Sequence, residues 1–260
     1  MEKCKVSASI VTYNNVKYIE DAVGTLLDSA KTTDLTLYVI DNGSTDGTVE
    51  LLKEKFGTDP RFVLLETGAN IGFGAGHNKV LDLLDSDYHC VVNPDVIIRD
   101  DILDKMTAYM KQHPDVVQLS PRICFPDGQD QVLGKRYPHA WYLLSSRIRR
   151  SKTEKPTALL AHYAMLKKGT REPFEIKNAT GCFMFFRTED FRALGGFDDR
   201  YFMYFEDCDL TLRMRKRGKV LYFPAAIVYH VWARDSKRNS RLKRIHIESL
   251  LKFYLKWRMI

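Results

Sequence analysis

Short apolar runs alternate with segments of helical periodicity through the first hundred residues. The apolar runs predict strands at residues 6–11, 35–40, 62–66 and 88–92. Apolar positions at helical spacing predict helices at residues 18–30, 48–56 and 75–84. This alternation is typical of βαβ units with right-handed crossovers, which build a largely parallel sheet. We therefore predict an α/β protein with a Rossmann-like, mostly parallel central sheet flanked by helices.

The pattern is less regular beyond residue 100. It predicts a helix at 102–111, a strand at 116–120, an apolar strand at 178–187, a short helix at 188–193 and a strand-like run at 226–229. Residues 125–173 are polar and lack sustained periodicity, so we expect a partly mobile insertion that covers the site.

Polar residues follow three of the predicted strands directly. They are Tyr13-Asn14, Asp41-Asn42-Gly43 and Asn93-Pro94-Asp95. Open parallel sheets bind ligands beyond the carboxyl ends of their strands. The sequence therefore predicts a ligand site along this edge of the sheet.

The net charge of +7 resides in the last part of the chain. Residues 234–258 carry nine Lys or Arg and two acids, whereas the rest has 31 of each sign. This distribution argues against a nucleic-acid surface. From residue 235 the pattern predicts a basic amphipathic helix, with Tyr254 and Trp257 near its end. Two interpretations stay open for residues 235–258: contact with an anionic membrane surface, or packing on the body or on a second subunit of a homo-oligomer.

Five scattered cysteines without a CxxC pair argue against zinc and against a disulfide framework, and indicate a reducing compartment. No apolar run approaches the about 20 residues of a spanning helix, and residues 6–11 are too short for a secretory signal. We expect a cytoplasmic protein, soluble or peripheral on the inner face of the cytoplasmic membrane.

Two loops are candidates for nucleotide binding. Asp41 is the first residue of a polar turn between a strand and a helix, where its carboxylate can accept from a nucleobase N–H or a ribose hydroxyl. The alternative is a βα turn without a role in ligand binding. Residues 70–78 contain closely spaced glycines before a helix, which would let backbone N–H groups approach a nucleotide. Their spacing is not GxGxxG, so a dinucleotide site is disfavoured.

Acidic residues and one histidine are candidates for metal binding and catalysis. Asp95 could hold Mg²⁺ or Mn²⁺ against a diphosphate, unless residues 93–95 form a simple turn fixed by proline. His230, at a strand end, is a candidate metal ligand, although lone histidines are usually structural. Three acids, Glu206, Asp207 and Asp209, lie among aromatic residues, where desolvation would raise a carboxyl pKa towards that of a general base. A helix dipole explains one or two of them but not the aromatic surroundings.

In this order the motifs resemble the inverting GT-A glycosyltransferases of family 2, from residue 6 to about residue 231. The segments that carry the resemblance are 10–14 (IVTYN), 41–47 (DNGSTDG), 70–78 (NIGFGAGHN), 93–95 (NPD), 181–184 (GCFM), 195–198 (GGFD) and 206–207 (ED). The sequences of residues 70–78 and 93–95 are most similar to those of the bacterial rhamnosyltransferase branch, which uses dTDP-L-rhamnose.

The resemblance implies a role for each matching residue. Donor binding would involve Thr12, Tyr13, Asn14, Asp41, Gly72, Gly74, Asn78 and Asn93. The metal, Mn²⁺ or Mg²⁺, would be bound by Asp95 and His230. Catalysis would rest on Asp207 as the base with Glu206 beside it, and the acceptor would contact Gly181, Cys182 and Phe205. Asn93 stands where the family pattern has the first aspartate of Asp-x-Asp, which argues against a metal site with two carboxylates.

The implied reaction is metal-dependent transfer of a sugar, L-rhamnose in this branch, to a glycan or lipid-linked glycan in bacterial cell-surface polysaccharide synthesis. The implied organisation is a GT-A domain at 1–233, with a nucleotide-binding half at 1–100 and an acceptor half at 101–233, and a helical tail at 234–260. A UDP-sugar donor is an alternative. A sugar nucleotidyltransferase is less favoured because residues 9–15 contain neither Gly nor Arg. A non-catalytic binding module is favoured by Asn93 alone.

Overall fold

The computed structural model describes residues 3–139, 141–142, 155–231 and 240–258. Its strands are β1 (Lys5–Thr12), β2 (Asp34–Asp41), β3 (Phe62–Glu66), β4 (Tyr88–Val92), β5 (Val96–Ile98), β6 (Val116–Cys124), β7 (Phe174–Glu175), β8 (Phe183–Arg187) and β9 (Lys219–His230). Its α-helices are α1 (Ile19–Asp28), α2 (Thr48–Phe56), α3 (Phe73–Asn78), α4 (Ile102–Gln112), α5 (Ala158–Tyr163), α6 (Thr188–Ala193), α7 (Glu206–Met214) and α8 (Ser240–Trp257).

The nine strands form one sheet in the order β3-β2-β1-β4-β8-β6-β9-β5, with β7 paired to β9. Strands β1 to β4 pair in parallel, as predicted. Strand β8 then joins β4 and β6 antiparallel, and β9 runs parallel to β6 but antiparallel to β5 and β7. The predicted α/β class is confirmed. The antiparallel pairing in the second half of the sheet was not predicted.

The apolar patterns explain how the elements pack. Helix α1 buries Ile19, Ala22, Val23, Leu26 and Leu27, a stripe with the period of an α-helix. Strand β1 is buried from Val6 to Thr12 on both faces, as expected for a central parallel strand covered by helices. Each fully buried aliphatic side chain contributes about 1.5–3 kcal/mol relative to an exposed one.

Two predicted elements have different bounds in the structure. The helix predicted at 75–84 is the short α3 followed by a 3₁₀ turn at Leu81–Leu83. The strand predicted at 178–187 begins only at Phe183, because residues 178–182 turn towards α7, where Gly181 N–H donates to Asp207. Both differences arise from contacts with distant parts of the chain, which local periodicity does not contain.

The segment 125–173, which was predicted to be a partly mobile insertion, has regular structure in its second part. It contains α5 and a 3₁₀ turn at Leu166–Lys168. The Thr157 side chain caps α5 by accepting from the Leu160 N–H at 3.2 Å. Residues 140 and 143–154 lie outside the described residues, and the expected mobility of the segment stays a prediction.

The tail contains the predicted helix, which is α8, whereas residues 232–239 lie outside the described residues. One face of α8 packs on the body. Phe253 is fully buried in a cluster that includes Tyr201, Phe205 and Leu212, and Tyr254 donates to the Pro138 carbonyl at 2.8 Å. The interpretation that the helix packs on the body therefore holds for this face.

Candidate active site

Two buried oxygens lack partners where β1 and β2 end. Thr12 and Asp41 are paired in register across these parallel strands. Asp41 Oδ2 accepts from the N–H groups of Gly43 (2.9 Å) and Ser44 (3.0 Å). Its other oxygen and Thr12 Oγ1 are buried without a hydrogen-bond partner. Since buried polar atoms are almost always paired in native proteins, these two oxygens are suited to contact a bound ligand.

The neighbouring turn is held by Asn14, which has a left-handed backbone with φ +55°. Its Oδ1 accepts from the Thr45 N–H at 2.8 Å, and its own N–H donates to Ser44 Oγ at 2.9 Å. Asn14 therefore orders the loop that follows Asp41. Tyr13 beside it is 48% exposed, so its ring is available to a ligand.

The glycine-rich segment packs closely against the part of the chain that leads to α7. Gly72 has φ +96°, and a Cβ there would lie 2.4 Å from the Phe202 carbonyl oxygen. A Cβ on Gly74 would lie 2.7 Å from Phe197 Cβ. The Asn78 side chain both donates to and accepts from the Phe197 main chain at 2.8 Å. These residues therefore have a packing role, and the predicted donor contacts of Gly72, Gly74 and Asn78 stay predictions.

Asp95 and His230 are brought together by the pairing of β5 with β9, in which Val96 lies opposite His230. Asp95 Oδ1 lies 3.3 Å from His230 Nε2, and both side chains are largely buried. Gln131 holds the histidine from the other side, since its Nε2 donates to the His230 carbonyl at 2.6 Å and its Oε1 lies 3.3 Å from Nδ1.

These two residues fit a divalent cation that a substrate helps to bind. Burial disfavours the charged imidazole, but Cys182 and Asp95 raise the pKa of His230 to about 10. A cation at this position would instead favour the neutral imidazole. No group of three His, Cys, Asp or Glu side chains suited to a metal occurs in the described part of the chain. Mg²⁺ and Mn²⁺ commonly take one or two protein ligands and complete their shell with phosphate and water.

The turn before α7 adopts an unusual backbone. Tyr204 and Phe205 both have positive φ, of 71° and 68°, without being glycine. Such residues cost of the order of 1–3 kcal/mol each and persist where the surroundings hold them. Here α8 holds them: the Phe205 ring lies 5.4 Å from that of Phe253, and the Tyr204 and Phe205 rings lie 5.1 and 5.3 Å from that of His246. The turn directs Glu206 and Asp207 at the helix start.

The two acids at the start of α7 have different surroundings. Asp207 accepts from the Gly181 N–H at 2.9 Å and the Cys208 N–H at 2.7 Å. Burial raises the pKa of Asp207, although these N–H groups oppose the shift. Glu206 is 6% exposed, and its Oε2 has no partner. Burial and the adjacent Asp207 raise the pKa of Glu206 well above its usual range.

Asp207 and the Asp95–His230 pair are connected through one short segment. The Gly181 N–H donates to the Asp207 carboxylate. The carbonyl of the following residue, Cys182, accepts from the Asn93 N–H at 2.9 Å. A Cβ on Gly181 would lie 3.2 Å from Asp207 Cβ, so this close approach depends on glycine. The structure thus brings Asn93, Asp95, Gly181, Cys182, Asp207 and His230 into one region.

Sequence analysis missed two supporting residues. Gln131 holds His230, and Thr211 accepts from the Ala179 N–H while donating to the Asp207 carbonyl at 2.7 Å. Gln131 lies in a segment without periodicity, so no local signal indicated it. Thr211 lies four residues after Asp207, one helical turn away, which is a usable signal once the base is assigned.

Comparison with known proteins identifies the class. The model of the family Glycosyl transferase family 2 matches residues 7–195, and the chain belongs to this family.

Two relatives span most of the chain. An N-acetylglucosaminyl-diphospho-decaprenol L-rhamnosyltransferase of Mycobacterium tuberculosis is 29% identical over 258 residues, which are 88% of this chain and 76% of the relative. The rhamnosyltransferase WbbL of Escherichia coli is 26% identical over 208 residues, 75% of this chain and 74% of the relative.

Solved structures of glycosyltransferases share the fold. A mannosyltransferase from Pyrobaculum calidifontis in complex with GDP-Man and Mn²⁺ superposes with a TM-score of 0.66 at 17% identity, over 98% of this chain. GalNAc-T7 with UDP, GalNAc and Mn²⁺ superposes with a TM-score of 0.65 at 15% identity, over 88% of this chain. The chain spans 64% and 44% of these two chains. The predicted GT-A fold is confirmed.

Glu206→Gln is predicted to stabilise the fold increasingly as the pH rises. Because the pKa of Glu206 is higher in the folded than in the unfolded state, its carboxyl group weakens the fold as pH rises above the unfolded value of about 4.3. An amide has no charge to bury. The difference in melting temperature between Glu206→Gln and wild type should therefore grow from about pH 4 to about pH 8, as measured by thermal unfolding.

The matched control is Glu189→Gln, because Glu189 is exposed in the first turn of α6. It should change the melting temperature little at any pH in this range. A difference for Glu206→Gln that stays constant across the range would contradict the assigned pKa shift.

Proposed function

We propose that the protein is an inverting, metal-dependent glycosyltransferase that transfers L-rhamnose from dTDP-L-rhamnose to a hydroxyl of a glycan or lipid-linked glycan in bacterial cell-surface polysaccharide synthesis. The observation that carries the proposal is the position of Asp207. Its carboxylate is fixed by the Gly181 N–H, one residue from the carbonyl that binds Asn93 beside the Asp95–His230 pair. The proposed base and the proposed metal-binding pair are thus linked through two adjacent residues, Gly181 and Cys182.

The donor nucleotide is proposed to bind at the ends of β1 and β2. The unpartnered Asp41 Oδ1 and Thr12 Oγ1 would receive hydrogen bonds from the nucleobase or the ribose, and the exposed Tyr13 ring would stack on the base. Asn14 would keep the loop after Asp41 in place, whereas Asn93 would contact the ribose or the sugar.

The proposed reaction is a single displacement. Asp207 takes the proton of the acceptor hydroxyl, whose oxygen forms a bond to the anomeric carbon as the bond from that carbon to the diphosphate oxygen breaks. The nucleoside diphosphate leaves, and attack from the opposite face inverts the configuration. Asp95 and His230 would hold Mn²⁺ or Mg²⁺, whose charge would stabilise the departing diphosphate. The raised pKa of Glu206 favours its protonated form, which would remove one negative charge beside Asp207 and so favour an ionised Asp207 as the base.

The sugar and acceptor are proposed from the relatives. Both the Mycobacterium and the Escherichia relatives are named as rhamnosyltransferases, and the first name gives N-acetylglucosaminyl-diphospho-decaprenol as its acceptor. A UDP-sugar is the second candidate donor, supported by a solved structure of the same fold from Staphylococcus aureus, TarS, with UDP-GlcNAc.

Helix α8 is proposed to lie on the inner face of the cytoplasmic membrane. Ile247, Leu251 and Leu255 are 51, 53 and 70% exposed and follow one another at intervals of four residues, so they form one outward apolar stripe. Exposed basic residues accompany it on the same helix, and such a helix binds anionic lipid. Among the described helices, none is long and apolar enough to cross a membrane.

The experiment that tests the proposed function is a donor screen. Purified protein is incubated with UDP-, GDP- and dTDP-sugars, with Mn²⁺, with Mg²⁺ and with a chelator, and nucleoside diphosphate release is measured. We expect metal-dependent release that is fastest from dTDP-L-rhamnose. If calorimetry detects no binding of any donor in the presence of metal, the proposal is wrong.

Asp207→Asn is predicted to lower the transfer rate by about 10²- to 10⁴-fold, because the amide cannot take the acceptor proton. Donor affinity should stay close to that of wild type, since Asp207 contacts the acceptor side. Rates of nucleoside diphosphate release and calorimetric titration with the donor measure the two quantities. Asp199→Asn, at an exposed position, is the control. Turnover of Asp207→Asn within a few-fold of wild type would refute the assignment of the base.

Leu251→Glu combined with Leu255→Glu is predicted to abolish binding to vesicles of phosphatidylglycerol, because the charges oppose insertion of the apolar stripe. Co-sedimentation with vesicles measures binding, and Leu83→Glu, at a position 48% exposed elsewhere, is the control. Equal sedimentation of the double variant and wild type would show that the stripe does not contact lipid.

A further inference from the structure

A cavity of about 140 Å³ lies in the second half of the molecule, and no function has yet been assigned to it. Its walls come from β6, from residues 130–135 and from residues 164–180. The lining side chains that matter for its chemistry are Arg122, Asp130, Gln131, Lys135, Asn178 and Tyr222.

The cavity adjoins both the base and the Asp95–His230 pair. Gln131 lines it and also donates to the His230 carbonyl. Thr180 lines it and immediately precedes Gly181, whose N–H binds Asp207. None of its lining residues belongs to the loop that follows Asp41. The cavity is therefore on the acceptor side of the site.

Lys135 supplies a positive charge without a carboxylate partner. Its Nζ lies 4.6 Å from the centre of the Tyr222 ring, and it forms no salt bridge with any carboxylate of the described residues. The carboxylate of Asp130, which also lines the cavity, is bound by Arg122 Nε at 2.6 Å. Burial lowers the pKa of Lys135 to about 8, and Asp130 opposes the shift. An ammonium group in these surroundings would be stabilised by an anion in the cavity.

Asn178 supplies an acceptor for a hydroxyl group. It is 7% exposed and its Nδ2 donates to the Gly134 carbonyl at 3.1 Å, which leaves its Oδ1 buried and without a hydrogen-bond partner. Buried carbonyl oxygens of this kind are usually satisfied, so a ligand hydroxyl would complete the site. Between the lining residues Met165 and Phe174, the chain carries three basic residues and one acid outside the lining, and this net positive charge favours an anionic ligand nearby.

We propose that this cavity binds an acceptor sugar linked to phosphate, with Lys135 binding the phosphate and Asn178 Oδ1 accepting from a sugar hydroxyl. The inference rests on the proposed function, because it defines the acceptor class for the same active site. It requires that the enzyme distinguish a sugar diphosphate from the same sugar without phosphate, and that the distinction depend on Lys135.

The test compares two acceptors in the full-length protein with the donor identified by the screen. One is octyl N-acetylglucosaminyl diphosphate, and the other is octyl N-acetylglucosaminide, which lacks phosphate. For Lys135→Met we expect KM for the diphosphate to rise by about 10- to 100-fold, the loss of one charge-assisted hydrogen bond. KM for the phosphate-free acceptor and kcat for both should change little. Lys135→Arg should retain most of the preference.

Lys177→Met is the matched control, since it removes a nearby exposed charge that does not line the cavity. It should leave both KM values close to those of wild type. Equal changes of KM for the two acceptors in Lys135→Met, or no change, would overturn the inference. The inference would also be overturned if wild-type protein released nucleotide from its donor but showed no preference for the diphosphate. The same holds if that protein glycosylated neither acceptor. Absence of donor binding in wild type would instead refute the proposed function itself.

Discussion

The fully buried carboxylate of Asp209 fastens the last helix to the one that carries the proposed base. It accepts from Arg213 Nε at 2.8 Å, from Lys256 Nζ at 2.6 Å and from Trp257 Nε1 at 2.9 Å. A buried charge is tolerable only when it is paired and hydrogen bonded. Within α7 the Asp209 carboxylate has one cationic partner, Arg213, and α8 supplies the other two partners. Since Asp207 lies two residues before Asp209, the contact that holds the tail also fixes the start of α7.

This anchoring explains how the strained turn at Tyr204 and Phe205 persists. The two positive φ values are unfavourable for the isolated segment, but His246 of α8 packs against both rings and Phe253 packs against that of Phe205. The Met203 carbonyl also accepts from Ser249 Oγ at 2.8 Å. The tail is therefore a structural part of the acidic site, and its removal would expose apolar surface and free the turn that places Asp207.

The two halves of the sheet meet at the site because β4 pairs with β8 in antiparallel orientation. The amino end of β8 thus lies beside the carboxyl end of β4, and the residues just outside both ends, Cys182 and Asn93, become neighbours. The parallel half provides Asp41 at one end of this edge, whereas the mixed half provides Asp207 and His230. A nucleotide and an acceptor can then approach the same edge from opposite halves.

The elements of the first half were predictable because buried parallel strands are continuous apolar runs. The predicted strands at 62–66 and 88–92 have the observed bounds, and that at 35–40 differs by one residue at each end. Strand β9 shows why the second half was harder. The strand begins at Lys219 and its apolar run at Val220, but this run contains Pro224, and the register against β6 shifts between Pro121 and Arg122. Only the end of the strand, at 226–229, was therefore predicted.

The candidate site was predictable where chemistry required particular residue types, as for Asp41, Asp95 and Asp207. The site was not predictable where packing between distant parts of the chain determines the position of a residue. The close spacing of Gly72 and Gly74 indicated a donor loop but not their packing against Phe202 and Phe197, where a Cβ atom would be too close. Gln131 and Lys135 contact residues far along the chain, His230 (99 residues away) and Tyr222 (87 residues away), which no local pattern connects.

Two faces of α8 have different surroundings, which the composition of the tail does not separate. Lys252 donates to the Arg200 carbonyl at 2.7 Å, and Lys256 binds Asp198 and Asp209, so these two cations hold the helix to the body. The apolar stripe of Ile247, Leu251 and Leu255 points away from that contact and is exposed. The same rigid helix carries both faces and supports the turn before Asp207. The proposed docking of the outer face on a membrane would therefore set the position of Glu206 and Asp207 relative to the proposed lipid-linked acceptor.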